Sequence, residues 1–113
     1  MYKNSMANRQ FVSLDQICYL VKIDTISDDI KCEIEHKIPR RVFCGELPVM
    51  SSEVANASNI GIRPEKLIVI DFEEYNNEKY LIYGNKEYTI YRTYRKDDYI
   101  ELYCGERLGN KNA

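Results

Sequence analysis

Between Gln16 and Cys104 much of the chain alternates apolar and polar residues with a period of two. The clearest run is Ile30–Ile38. Ile30, Cys32, Ile34, His36 and Ile38 hold every second position, with Lys31, Glu33, Glu35 and Lys37 between them. Side chains two apart share one side of a strand, so the run predicts a half-buried strand with His36 packed on its apolar face. Ile17, Tyr19, Val21 and Ile23 alternate in the run before it. Ser27, Asp28 and Asp29 supply turn chemistry between the two, which makes them a hairpin. Pro39 then marks an edge or a bulge, because proline cannot donate to a ladder. The strand pattern resumes after it, in Arg40–Pro48.

The alternation stops at Val49. Ser51–Ser58 reads as two helical turns, with Ser51 or Ser52 as cap and Glu53 near the positive end. Gly61 and Pro64 break the chain after it. Leu67–Ile70 is apolar at every position, the mark of a strand buried on both faces. Three more strands follow in Tyr80–Arg107, joined by Gly84-Asn85, a pair suited to a two-residue hairpin loop, and by Arg95–Asp98. On the first long strand, Tyr88, Ile90, Arg92 and Tyr94 should share one face and Thr89, Tyr91 and Thr93 the other. On the last, Ile100, Leu102 and Cys104 oppose Tyr99, Glu101 and Tyr103. Ile34, Val42, Val69, Ile90 and Leu102 are the expected core. About six or seven strands and one short helix predict an all-β fold, a small antiparallel barrel. Residues 15–107 form its single domain, with a flexible arm at 1–14 and a disordered tail at 108–113.

Composition narrows the function classes. The chain has 113 residues and a formal net charge of −2, which argues against a protein that coats nucleic acid by charge. No run of 18 apolar residues spans a membrane, and the N-terminal residues lack the apolar stretch of a signal peptide. Cys18, Cys32, Cys44 and Cys104 are not clustered with the one histidine, His36, as metal ligands are. They read as small buried apolar residues. Cys32 and His36 lie about 13 Å apart along a strand, beyond hydrogen-bond reach. The acidic pairs fall in turns, and no catalytic constellation, cofactor motif or metal site emerges. The chain is read as a non-enzyme. Ten tyrosines remain to be explained. On strands beside Arg92 and Arg95 they could stack single-stranded bases, or they could form barrel wall and contact surface.

The stretch from "VFCGELPVMSSEV" (Val42–Val54), through Gly61, Pro64 and Glu65, to "YGNKEYTIYR" (Tyr83–Arg92) resembles the head closure, or head–tail joining, proteins of long-tailed phages and prophages. The likeness spans residues 15–107, and departs from the family at Val54-Ala55, where bulky aromatics are usual. It implies a β-barrel that assembles into a homo-oligomeric ring in the virion, made in the bacterial cytoplasm. The ring would sit between the portal or adaptor protein and the tail proteins and retain packaged DNA without sequence-specific binding. It implies no cofactor. It also implies a channel loop at Val49–Arg63, with Ser51, Ser52, Glu53, Val54, Ala55, Asn56, Ala57, Ser58 and Asn59 as plug residues. Those residues offer little apolar surface, so the loop should be poorly held until assembly. Tyr91, Arg92, Tyr94, Tyr99 and Tyr103 are the candidate interface. A small barrel that binds single-stranded nucleic acid is the alternative.

Overall fold

A computed structural model describes residues 2–3, 11–27 and 33–108. Cys32, the turn at Asp28-Asp29, the side chain of Ile34, most of the expected arm and the tail after Leu108 lie outside the described residues. Two short strands, β1 (Tyr2–Lys3) and β2 (Phe11–Val12), pair with each other. Six longer strands follow: β3 (Gln16–Ser27), β4 (Glu33–Leu47), β5 (Ile62–Asp71), β6 (Tyr80–Tyr83), β7 (Lys86–Lys96) and β8 (Tyr99–Arg107). They close into an antiparallel barrel in the order β3-β4-β5-β8-β7-β6. The helix α1 (Ser51–Ser58) lies between β4 and β5, and a 3₁₀ turn at Phe72–Glu74 follows β5. The all-β barrel and the single short helix agree with the sequence pattern.

The barrel is filled by Cys18 and Leu20 of β3, Val42 and Cys44 of β4, Ile68 and Ile70 of β5, Leu81 of β6, Tyr88 of β7, and Ile100, Leu102 and Cys104 of β8. Cys18, Cys44 and Cys104 are fully buried free thiols, as small apolar residues would be. Burial pushes the Cys104 thiol up to about 12, which removes it from thiolate chemistry at neutral pH. A second cluster lies on the outer side of the wall. Leu47, Leu67 and Val69 are buried there, with Leu14, Val49, Tyr99 and Tyr103 packed around them. This accounts for the uninterrupted apolar run of β5: Ile68 and Ile70 point in, while Leu67 and Val69 point out and are covered.

Two loops follow the expected turn chemistry. Gly84 (φ 60°) and Asn85 (φ 68°) link the pair Tyr83–Lys86, the left-handed geometry of a tight hairpin turn. Asp97 (φ 57°) turns the chain between Lys96 and Tyr99.

Two expectations need correction. His36 is exposed, not packed. β3 and β4 run past the barrel as a two-stranded arm, because β6 pairs with β3 only at Tyr19–Val21 and β5 pairs with β4 only at Gly45–Leu47. The alternation is real, but between Glu33 and Pro39 no opposite wall covers it among the described residues, and Ile38 is 45% exposed. The second correction concerns β7. Its register with β8 shifts between Ile90 and Arg92. Directly opposed residues share a face, so Ile90 sides with Cys104 inside the barrel while Arg92 sides with Tyr103 outside. A bulge at Tyr91 reverses the parity, and Tyr88, Ile90, Arg92 and Tyr94 do not share one face.

Of the expected core, Val42, Val69 and Leu102 are buried and Ile90 is half-buried against the barrel interior. Leu102→Ala should cost about 2–5 kcal/mol in urea denaturation, and a loss under about 0.5 kcal/mol would remove Leu102 from the core. Gly105 lies against the carbonyl of Arg63, beside a second bulge between Pro64 and Lys66. A Cβ there would collide with backbone. Gly105→Ala is therefore expected to destabilise by about 1–3 kcal/mol, and an unchanged midpoint would show that the β5–β8 ladder can spread.

Candidate functional site

α1 begins without a side-chain cap. Its N-cap is Met50, neither Ser51 nor Ser52, and makes no such hydrogen bond. Eight residues are too few to be stable as an isolated helix, so contacts with the barrel must hold it. Only two of its residues are buried, Glu53 and Ala57. They are four apart and so lie on one face. Ser51, Ser52, Val54, Ala55, Asn56, Ser58 and Asn59 are exposed. At the far end Gly61 turns the chain with φ 75°, and its carbonyl accepts from the amide of Leu108 at 2.7 Å.

Glu53 is the anchor. Tyr91 donates its hydroxyl hydrogen to Glu53 Oε2 at 2.7 Å, and Arg92 donates from Nη2 to Oε1. Neighbouring residues of a regular strand point to opposite faces. Tyr91 and Arg92 reach the same carboxylate because the bulge re-aims one of them. The Arg92 guanidinium also lies 4.0 Å from the centre of the Tyr103 ring. Tyr91 meets that ring edge-on, with centroids 6.3 Å apart. Tyr103 in turn donates to Glu101 Oε1 at 3.0 Å. The chain of contacts runs from the helix through β7 to β8.

Its electrostatics suit a clamp. Burial alone would raise the pKa of Glu53, but the hydrogen bonds from Arg92 and Tyr91 outweigh it and hold the carboxyl below its ordinary range. Burial and the adjacent Glu101 carboxylate push Tyr103 up to about 12. Tyr91 is raised by burial and by Glu53. At neutral pH the Glu53 carboxylate lies between a guanidinium and a neutral phenol. Every group is already partnered, which makes it a structural joint and leaves no free nucleophile–base pair.

The structure thus joins Tyr91, Arg92 and Tyr103 of the expected interface to Glu53 of the expected plug. Tyr94 does not belong: it projects outward and is 53% exposed. Tyr99 packs against the outer apolar cluster of Leu47, Leu67 and Val69. Ser51–Ser58 forms the expected helix, and Glu53 joins it to β7 through Tyr91 and Arg92. The sequence reading took Glu53 as a helix-end charge and missed its partners. A lone acid in an apolar-poor helix was the available signal; its partners, 38 and 39 residues away, had none.

A second polar cluster closes the end of the barrel where the arm departs. Arg40 of β4 donates to Glu74 Oε1 and to Glu78 Oε2, each at 3.0 Å, and to the Glu74 carbonyl. Glu78 is buried and also accepts from the Asn76 amide at 2.8 Å, while Tyr75 donates to the Glu78 carbonyl at 2.7 Å. Arg40 therefore pins the Phe72–Lys79 connection across the barrel mouth. Among the described residues no group of three His, Cys, Asp or Glu side chains could hold a metal ion, and no helix is long and apolar enough to cross a membrane. Comparison with protein-family models, curated proteins and solved structures found no match.

Removing the Glu53 carboxylate leaves Arg92 and Tyr91 without their acceptor, so Glu53→Ala should destabilise by about 1–3 kcal/mol. Charge can be tested separately from packing with Glu53→Gln. A carboxyl with a depressed folded-state pKa contributes stability that is present above the ordinary value of 4.5 and lost as pH falls through the folded-state value. The stability gap between wild type and Glu53→Gln should be widest at neutral pH and close in acid. A gap independent of pH would mean that the charge of Glu53 does not hold the helix.

Proposed function

We propose that this chain is a structural subunit of a phage head–tail connector, a ring component that closes the head after DNA packaging and gives the tail a docking surface. The resemblance over residues 15–107 motivates the reading, and the closed barrel is the architecture it implies. The observation that carries it is the charge distribution on the α1 segment. Between Met50 and Ile60 the only ionisable side chain is Glu53, and that one is buried in the clamp. What α1 exposes is serine, asparagine, alanine and valine. Such a surface can lie beside a DNA backbone without the counterion release that makes phosphate binding tight. A connector must hold packaged DNA back and later let it pass, and a neutral polar element on a rigid barrel suits that task. Function would place the protein in the virion after synthesis in the bacterial cytoplasm, between the portal or adaptor ring and the tail.

The alternative, a barrel that binds single strands, has less support. Base-stacking sheets leave aromatic faces free beside basic residues. Here Tyr88 is buried, and Tyr91 and Tyr103 are bound to Glu53 and Glu101. Those carboxylates would repel phosphate at the same place.

Purified protein mixed with the products of neighbouring phage genes should form ring-shaped complexes under the electron microscope. Deletion of Val54–Asn59 should leave the rings intact while DNA leaks from the heads. Absence of any ring, together with steeply salt-dependent binding to single-stranded DNA, would overturn the connector reading in favour of the alternative.

A further inference from the structure

Three thiols share the barrel interior, and two of them touch. Cys18, Cys44 and Cys104 are each fully buried in the main core. Cys104 donates its S–H to the Leu102 carbonyl at 3.5 Å. Cys18 faces Val42 across the β3–β4 ladder, and Gln16 faces Cys44. The two cysteines are therefore diagonal neighbours on the inward face. Their side chains are in hydrogen-bond contact, with Cys18 donating to Cys44. That bond pushes the Cys18 thiol up and holds the Cys44 thiol below its ordinary value, against the effect of burial. The pair divides into a sulfur suited to attack and a sulfur that donates to it.

The pair also sits where the barrel wall has its shortest ladders. β3 meets β6 over the three pairs of Tyr19–Val21, which begin one residue after Cys18. β4 meets β5 over the three pairs of Gly45–Leu47, which begin one residue after Cys44. By contrast, β5 and β8 are paired along the whole of Ile62–Asp71. A short ladder opens locally at lower cost than a long one. Both short ladders border the cysteines, so an opening on either side admits a small oxidant to them.

We propose that Cys18 and Cys44 are a peroxide-sensitive dithiol, a modification site at which Cys44 is oxidised first and Cys18 closes a disulfide onto it. The Cys44 thiolate attacks one peroxide oxygen. An S–O bond forms, the O–O bond breaks, and the other oxygen leaves as hydroxide, which takes up the proton released by Cys44 and becomes water. The Cys18 sulfur then attacks the sulfenic sulfur of Cys44. The S–S bond forms, the S–O bond breaks, and the hydroxyl leaves as water with the Cys18 proton. In sum, two thiols lose two electrons and two protons, and hydrogen peroxide is reduced to two waters. Diagonal neighbours are spaced more widely than an unstrained disulfide allows. The bond is therefore easily reduced, as in a reversible switch. The inference is independent of the connector reading, because it concerns the chemistry of a single chain.

Peptide mapping by mass spectrometry tests it, since each of the four cysteines falls on its own tryptic peptide. The full chain carrying Cys32→Ser is treated with hydrogen peroxide and mapped without reductant. It should lose two hydrogens and show Cys18 joined to Cys44, and dithiothreitol should restore both thiols. Cys104→Ala in the same background should leave the cross-link intact, with the fold checked by circular dichroism. Cys18→Ala removes the second sulfur, so the sulfenic acid of Cys44 should persist and be trapped by dimedone as the chain is unfolded. Cys44→Ala should leave Cys18 unlabelled. Thiols that all remain free after peroxide would overturn the proposal. So would a cross-link through Cys104, or trapping at Cys18 in place of Cys44.

Discussion

The ladder between β5 and β8 is the constraint on which the rest depends. These strands must be buried on both sides. Inward, Ile68, Ile70, Ile100 and Leu102 fill the barrel; outward, Leu67, Val69, Tyr99 and Tyr103 make an apolar surface that water would otherwise cover. That outer surface needs a lid, and Leu14, Val49 and the α1 segment supply it. The position of the helix follows from the wall it covers, since the helix alone is too short to choose one.

Given that position, the Glu53 cluster follows from desolvation. A carboxylate brought against an apolar wall needs strong partners. The bulge at Tyr91 provides two from adjacent residues, where a regular strand could provide one. The same bulge reverses the parity of β7, so that Ile90 stays in the core while Arg92 and Tyr94 turn outward. One extra residue in the strand thus sets both the anchor of the helix and the composition of the outer surface. The tyrosines are divided accordingly: Tyr88 in the interior, Tyr91 and Tyr103 in the joint, Tyr94 in solvent.

The arm follows from unequal strand lengths. β3 and β4 pair over twelve residues each, whereas β6 offers four residues and meets β3 over three pairs. Along the excess length β3 and β4 pair with each other alone among the described residues. Arg40 and the connection it pins close the barrel mouth, so the inward stripe of β4 emerges beyond them as exposed surface. An exposed strand edge beside apolar side chains invites pairing with another chain.

Much of this was legible in the sequence. Alternation at Ile17–Ile23 and Ile100–Cys104 marked strands correctly, since side-chain direction along a strand is a local property. Gly84-Asn85 marked its turn because left-handed backbone is a local preference. The helix at Ser51–Ser58 and the two-sided burial of Leu67–Ile70 were readable for the same reason. What only the tertiary structure decided is which apolar faces find a wall and which polar groups find each other. His36 and Ile38 obey the same alternation as Val42 and Cys44, yet only the latter pair is covered, because coverage depends on strands distant in sequence. Glu53 and Arg92 are 39 residues apart, and no spacing rule joins them. The bulge at Tyr91 depends on how β7 fits β8, a condition set by two strands together and written in neither alone.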